Sequence, residues 1–365
     1  MNTNLIRDRI RGSLIGGAVG DALGYPVEFM NEEHIYKKYG NTGIEYYDVD
    51  RSRGVAVVSD DTQMTLFTAN ALLFGAYRQR ERGISAEPRH YALYAYLGWL
   101  HTQQFSYSDE NRIPEDWRGW ASYLLKDVPE LYVRRAPGNT CLDGLKRRKE
   151  KVDNNIHISD YIADKINDSK GCGGIMRVAP LGLAMRFCKM DRLDMEGAQL
   201  AAITHSHPLG YMPAAVLTHI LNRLVCCEGD TDLKAIILES KSFVNNLFAE
   251  NPYISELNDI IDKAILLSDN NDSDTANISK LGEGWVAEEA LAISLYCSLK
   301  YNDNFSKSVI ASVNHKGDSD STGAITGNIM GALLGYERIE QKWLSSLEMH
   351  DLILQIADKL YSDFA

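Results

Sequence analysis

Two short acidic clusters, far apart in the chain, combine residue types that hold divalent cations. The first is Ser59-Asp60-Asp61-Thr62 and the second is Asp318-Ser319-Asp320-Ser321-Thr322. Each places two carboxylates beside hydroxyl groups, and oxygen ligands of this kind suit hard ions such as Mg²⁺, Mn²⁺ or Ca²⁺. If the fold brings the clusters together, four carboxylates share one small volume. Like charges that close raise one another's pKa or recruit a cation. The clusters therefore suggest a metal-dependent hydrolytic centre.

Other interpretations of the clusters stay open on pattern alone. Ser and Asp are favoured helix N-caps, and acidic residues in a first turn interact well with the helix dipole. A calcium-binding EF-hand loop beginning at Asp318 would need a Glu at its twelfth position, where Ile329 stands. Asp318, Asp320 and Thr322 also match the DxDxT signature of haloacid-dehalogenase-type phosphohydrolases. That signature follows a buried strand, whereas the preceding residues 314–317 are Asn-His-Lys-Gly.

The elements that must position the clusters are mostly helices. Apolar residues recur at helical spacing after both clusters, and the best strand candidate is the short run Val55–Val58. Glycines fall on every fourth residue at Gly12, Gly16, Gly20 and Gly24, and again at Gly323, Gly327, Gly331 and Gly335. Because glycine inside a helix costs about 0.5–1 kcal/mol relative to Ala, we expect these two faces to allow close helix contact. Pro26 is expected to end the first helix and to leave Glu28 in a loop.

Composition limits the class of protein. The chain has 365 residues, 45% of them apolar, and a net charge of −12, which argues against nucleic-acid binding. The N-terminal residues lack the order of a signal peptide, and no apolar run reaches the length of about 20 residues that spans a bilayer. Six cysteines without a CxxC pair indicate reduced thiols and a cytoplasmic protein.

We predict one α-helical domain over residues 1–365, with surface insertions near 143–170 and 228–282. The basic run Lys146–Lys151 is expected to form a solvated helix face or a docking patch.

Seven segments, in order along the chain, resemble the ADP-ribosylglycohydrolase family. Each segment alone is weakly specific, but together they span nearly the whole chain. They are Gly20-Asp21-Ala22-Leu23-Gly24 with Glu28, Ser59–Met64, Pro137–Thr140, Gly171–Arg177, Thr204–Pro208, Gly282–Glu289 and His315–Gly323.

This resemblance implies an all-α fold with a binuclear centre of two Mg²⁺ (or Mn²⁺) ions. It implies metal ligands at Ser59, Asp60, Asp61, Asp318, Asp320 and Ser321. Catalytic roles fall to Asp60, Asp61 and Glu28, with Asp60 or Asp61 as the base and Glu28 on a mobile flap. Substrate contacts are expected at Ser169, Gly171, Cys172, Gly173, Met176, His205 and Trp285.

The activity implied is removal of ADP-ribose from arginine on an ADP-ribosylated protein substrate, by hydrolysis of the N-glycosidic bond. A second hypothesis is an immunity-type protein that neutralises an ADP-ribosyltransferase toxin by direct association, with or without hydrolysis. Neither a nucleic acid nor a membrane is an expected partner. Three residues in these segments also have simpler interpretations. Trp285 would be a core residue, Arg177 the partner of a carboxylate, and His207 the cap of a turn.

Overall fold

The protein is described here by a computed structural model covering residues 3–110, 123–229 and 231–364. Within these ranges sixteen α-helices are joined by loops and short 3₁₀ turns, and no β-strand is present. The helices are α1 (Thr3–Gly24), α2 (Glu32–Tyr39), α3 (Asp60–Arg82), α4 (Pro88–Thr102), α5 (Asn139–Asp153), α6 (Ala179–Ala184), α7 (Met190–Ala202), α8 (Pro208–Cys226), α9 (Leu233–Leu247), α10 (Ile254–Ser268), α11 (Asp274–Leu281), α12 (Ala287–Lys300), α13 (Phe305–Val313), α14 (Ser319–Leu334), α15 (Gln341–Leu344) and α16 (His350–Asp363). The predicted all-α class is confirmed.

The strand expected at Val55–Val58 is wrong. Val55 and Ala56 each make one isolated bridge, to Asp50 and to Leu347 respectively. Because the two bridges join different partners, no ladder forms, and the segment is an extended connection that leads into α3.

The two glycine faces pack against each other at the centre of the fold. A Cβ atom added to Gly12 would lie 2.2 Å from the Gly331 carbonyl oxygen, and one added to Gly20 would lie 1.9 Å from the Gly323 oxygen. Residue numbers rise along α1 as those of its partners fall along α14, so the helices run antiparallel. The expected close contact is therefore confirmed, and its register brings the end of α1 to the start of α14.

Several other helices pack against this pair. α1 also contacts α16 and α13, and α14 contacts α12 and α13. α3 packs on α4 and on α16, and it also contacts α1 and α14. In the ranges described, no helix is both long and apolar enough to cross a membrane.

Both stretches predicted as surface insertions contribute buried side chains. Leu145 and Tyr161 are buried in the first, and Ile237 and Ile261 in the second, so neither stretch lies wholly on the surface. Their status as insertions stays a prediction.

The basic run is not a uniformly solvated face, because Arg148 is fully buried. Its guanidinium donates to the backbone oxygens of Ile203 (2.9 Å) and Ala202 (3.2 Å) and pairs with Asp164. Arg148 therefore ties α5 to the end of α7 and is not available to an external partner.

Candidate active site

The first acidic cluster forms the N-terminus of α3. The Ser59 side chain caps the helix by accepting a hydrogen bond from Asp61 N at 3.1 Å. Asp21, buried on α1, accepts from Ser59 N (2.9 Å) and from Thr62 N (3.1 Å). The Asp21 carboxylate of α1 thus fixes the backbone of the first cluster. Asp21 was not predicted as a site residue, although a lone acid between Gly20 and Gly24 in an apolar helix was a usable signal.

The second cluster forms the N-terminus of α14 in the same manner. Asp318 is the cap, and its Oδ1 accepts from Ser321 N at 3.2 Å. The helix-cap interpretation and the ligand interpretation are therefore compatible, since capping occupies only part of each cluster. The positive ends of two helix dipoles point into one cleft and favour the carboxylates there.

The fold brings both clusters to a single cleft. Asp60, Asp61, Asp318 and Asp320 all line it, together with Glu28. One carboxylate oxygen from each of Glu28, Asp318 and Asp320 lies within 4.8 Å of the others. Glu28, expected on a flap, is thus as close to the α14 acids as a ligand would be.

Two of these carboxylates carry oxygens without a partner. Glu28 Oε2 and Asp61 Oδ2 are buried and make no hydrogen bond to any residue that the structure describes. A buried polar atom left unpaired costs about 1–3 kcal/mol, and more when it is charged. Unpaired oxygens within a cluster of acids fit a divalent cation better than they fit a purely structural role.

Electrostatics lead to the same conclusion. Burial, followed by the charge of Asp320, raises the pKa of Glu28 to about 10 and raises the pKa values of Asp60 and Asp61 well above their ordinary range. Burial and Asp320 also raise the pKa of Asp21 to about 7. Positive charge among these carboxylates would oppose the upward pKa shifts, so the donor set fits Mg²⁺ or Mn²⁺.

A glycine-rich turn also lines the cleft. Gly171, Cys172, Gly173 and Met176 all line the cleft. A Cβ on Gly171 would lie 3.2 Å from His205 Nε2, so glycine lets the turn approach the imidazole closely. Ser169 does not line the cleft; its Oγ accepts from Gly171 N at 3.3 Å and supports the turn from behind.

His205 presents a neutral imidazole to the cleft. Arg177 donates to Thr204 Oγ1 at 2.7 Å, which leaves the threonine proton for His205 Nδ1 at 2.8 Å. The ring proton is then on Nε2, next to the glycine turn. Burial, with the charge of Arg177, lowers the pKa of His205 to about 3, so the ring donates one hydrogen bond without carrying charge.

The start of α5 contributes a feature that sequence reasoning did not assign to the site. Gly138, Asn139 and Thr140 line the cleft, and no side chain within the described ranges caps this helix. Free N–H groups at the start of a long helix favour an anion. The segment Pro137–Thr140 was included in the resemblance, but no role in the site was given to it.

An aromatic pair stands at the cleft mouth. Trp285 is 38% exposed and stacks on Phe29, which is 75% exposed, with ring centroids 5.8 Å apart and planes 21° apart. The interpretation of Trp285 as a core residue is therefore wrong. Phe29 was not predicted at all, because nothing in its local sequence indicates an exposed ring beside Glu28.

Two further residues adopt supporting roles. Arg177 pairs with no carboxylate in the described part of the chain, contrary to expectation. It is buried beneath the cleft, over the Tyr96 ring at 4.3 Å, and donates to Leu200 O. His207 was expected to cap a turn; its ring instead caps the start of helix α8, accepting from Leu209 N at 3.1 Å.

Comparison with known proteins agrees with this site. The sequence model of the family described as ADP-ribosylglycohydrolase matches residues 2–365. The chain belongs to the ADP-ribosylglycohydrolase family. The resemblance seen in the sequence is thereby confirmed, and membership places the protein among hydrolases that act on ADP-ribosyl groups.

Relatives within the family extend over most of the chain. The ADP-ribosyl-[dinitrogen reductase] glycohydrolase of Rhodospirillum rubrum is 26% identical over 94% of this chain and 92% of its own length. The ADP-ribosylarginine hydrolase Tri1 of Serratia proteamaculans is 22% identical over 97% of this chain and 79% of its own length. A solved ADP-ribosylglycohydrolase-related protein complex superposes with a TM-score of 0.59 at 20% identity, covering 99% of this chain and 100% of that one. At that identity the last comparison supports the fold alone.

Proposed function

We propose that this ADP-ribosylglycohydrolase removes ADP-ribose from arginine side chains of modified proteins, with two Mg²⁺ or Mn²⁺ ions as cofactors. The observation that carries the proposal is the meeting of the two acidic clusters, at the starts of α3 and α14, in one cleft that also holds unpaired Glu28 and Asp61 oxygens. The ligands proposed are Ser59, Asp60, Asp61, Asp318, Asp320 and Ser321, with Glu28 added on grounds of distance. When bound, the ions neutralise the carboxylates and make a water in the cleft more acidic.

The remaining groups of the cleft suit the parts of an ADP-ribosyl ligand. The uncapped start of α5 and the Gly171–Gly173 turn offer backbone N–H groups to a diphosphate. His205 Nε2–H offers a neutral donor. Trp285 at the mouth gives a face on which a flat group can stack.

Asp60 and Asp61 are proposed to hold the proton of the attacking water. Both carboxylates are buried at the cleft, and Asp60 Oδ2 accepts only a weak bond, 3.4 Å, from Gly138 N. A carboxylate with free lone pairs beside the anomeric carbon can accept a proton at hydrogen-bond distance. Glu28 is proposed to approach from the opposite side and close the cleft over the ribose.

The preference for arginine is supported by the relative named as an ADP-ribosylarginine hydrolase. The alternative role in toxin association gains no support. The relatives described above are named as hydrolases, and the centre of the basic run that was considered for docking is buried. A cytoplasmic location stays a prediction.

The test is a release assay with two purified substrates, one ADP-ribosylated on arginine and one on serine. We expect free ADP-ribose from the arginine substrate only, and no release after chelation until Mg²⁺ or Mn²⁺ is restored. Asp60→Asn is expected to abolish release, whereas Asp269→Asn, a change at an exposed surface carboxylate, is the matched control. Release from serine alone would contradict the proposed linkage, and full release in chelator would contradict the metal dependence.

A further inference from the structure

The loop between α11 and α12, residues 282–286, contacts two different parts of the cleft. At one end, Glu283 O accepts a hydrogen bond from Asp318 N at 2.8 Å, so the loop contacts the start of α14. At the other end, Trp285 O accepts from Cys172 N at 3.2 Å, so the loop contacts the Gly171–Gly173 turn. One short segment therefore joins the second acidic cluster to the turn that is proposed to hold the diphosphate.

The turn, the loop and α14 are also in close contact with one another. The Cys172 thiol donates to Asp318 Oδ2 at 2.6 Å, which joins the turn directly to the start of α14. Where the loop meets α14, a Cβ added to Gly317 would lie 1.9 Å from Glu283 O, and the φ of Gly317 is +130°. Side chains rarely adopt that conformation, so this close approach depends on glycine. The backbone of the loop thus contributes to the spacing between the turn and α14.

A single carboxylate holds the backbone of the loop. Glu289, in the first turn of α12, accepts with Oε2 from Glu283 N at 2.9 Å and from Gly284 N at 3.1 Å. Gly284 is buried, and a buried N–H group left without a partner destabilises its conformation. A Cβ added to Gly282, whose φ is +135°, would lie 2.2 Å from Glu289 Cδ. The loop therefore fits around this carboxylate only because residue 282 is glycine.

Ordinary helix capping does not account for this contact. A glutamate at the third position of a helix commonly reaches back to the N–H of the cap residue, which is Val286 in α12. The Glu289 carboxylate reaches two and three residues further back, to Gly284 and Glu283. A negative charge beside the helix dipole is already supplied by Glu288 in the same turn. The bonds of Glu289 therefore order the loop rather than the end of the helix.

We propose that Glu289 is a positioning residue of the hydrolase. Its carboxylate fixes the 282–286 loop and thereby sets the spacing between the carboxylates at the start of α14 and the Gly171–Gly173 turn. Glu289 is not among the residues that line the cleft, so it acts through the loop. An ADP-ribosyl group held at its diphosphate by the turn presents its ribose to the cation site only when this spacing is correct. The inference rests on the proposed function for the roles of the turn and the cluster.

The experiment is hydrogen–deuterium exchange of the full chain without any ligand, measured by mass spectrometry. Glu289→Ala removes the acceptor, and we expect exchange in residues 282–286 to accelerate about ten- to hundredfold. Peptides that cover residues 171–175 and 316–321 are expected to lose protection with the loop, while peptides of α9 keep their native rates. Glu289→Gln keeps an acceptor oxygen and is expected to restore most of the protection. Asp191→Ala removes an exposed first-turn carboxylate from α7 and is the matched control, with native exchange expected in every segment.

A second measurement separates positioning from stability. In the release assay, we expect Glu289→Ala to raise KM for the arginine substrate and the Mg²⁺ concentration that gives half-maximal rate. A misplacement of about 1 Å can cost about a hundredfold in rate, so kcat/KM is expected to fall by up to that factor. Glu289→Gln is expected to recover most of the loss. A merely structural role would lower kcat through a smaller folded fraction and would leave KM at its native value.

The two measurements have distinct failures. Faster exchange confined to residues 282–286, faster exchange that extends equally into α9, a native KM in Glu289→Ala, or no recovery in Glu289→Gln would each overturn the inference. Exchange is read without substrate. The expected exchange pattern in a native protein that releases no ADP-ribose would therefore refute the proposed function and leave the role of Glu289 in ordering the loop intact.

Discussion

The contact between α1 and α14 can be tested by adding a single methyl group. In Gly327→Ala the new Cβ would lie 1.9 Å from the Gly16 carbonyl oxygen and 2.4 Å from its carbon. Ordinary contact begins at 3.4 Å, so the shortfall is 1.5 Å (3.4 − 1.9). Both neighbours are backbone atoms, which no side-chain rotation can move away. The two helices must therefore separate locally by about that distance.

The expected magnitude follows from two opposing effects. Overpacking a core costs about 1–3 kcal/mol, and rigid backbone neighbours place this site at or above the upper end. Replacing glycine by alanine inside a helix contributes about 0.5–1 kcal/mol in the opposite direction. We therefore expect a net loss of about 2 kcal/mol or more in the free energy of unfolding. Hydrolase activity is also expected to fall, because α14 carries Asp318 and Asp320.

The assay is denaturant unfolding followed by circular dichroism, with Gly17→Ala as the matched control. That substitution adds the same methyl group to α1, but it meets the side-chain amide of Asn328, which can move. We expect Gly327→Ala to lose clearly more stability than Gly17→Ala. Equal midpoints for the two variants, or a Gly327→Ala midpoint at the native value, would refute the argument that direct backbone contact holds these helices together.

Three further predictions address the ion pair at the chain ends, the cation and the cleft mouth. Hydrogen bonds from Arg7, and next from Arg11, lower the pKa of Asp358. The ionised carboxylate therefore stabilises the fold at pH values above its ordinary pKa. This stabilisation is lost as the pH falls through the lowered pKa. Thermal unfolding is therefore expected to show Asp358→Asn destabilised at pH 7, with the difference from the native protein shrinking toward acid pH; a constant difference would contradict the assignment. Chelation is expected to lower the melting temperature, and Mg²⁺ at 100 times its Kd to restore about 2.7 kcal/mol, measured by calorimetry; unchanged melting would argue against a cation in the cleft. Trp285→Ala is expected to raise KM for the ADP-ribosylated substrate about two- to tenfold with kcat nearly unchanged. The control Phe187→Ala, a change at an exposed ring outside the cleft lining, is expected to leave both constants at native values. Equal effects of the two changes on KM would exclude stacking of the substrate on Trp285.

Local patterns predicted part of the site because their causes are local. Asp318 caps α14 through a bond to Ser321, three residues away, and Ser59 caps α3 through Asp61, two residues away. The four-residue glycine period similarly reports which face of a helix lacks side chains, and Pro26 ends α1 through its own ring. Such features need no knowledge of the rest of the fold.

Other features of the site could not be predicted from any segment. Arg148 is in a run that is typical of a solvated face, yet its acceptors are backbone oxygens 54 and 55 residues away. Phe29 and Trp285 stack across 256 residues of sequence (285 − 29). Neither contact has a local signal, because each depends on where a distant loop is carried by the helices beneath it.

By itself, the sequence determined the helical class, the two oxygen-rich helix starts, the glycine faces and the family. Only the tertiary structure decided that α1 and α14 run antiparallel, which brings Glu28 to Asp318 across 290 residues (318 − 28). It also decided that Asp21 supports the first cluster and that the Cys172 thiol contacts the second. The physical reason is that capping and helix periodicity depend on neighbours within one turn. A cation site depends on several carboxylates being held together against their mutual repulsion, and only the packing of distant helices can do that.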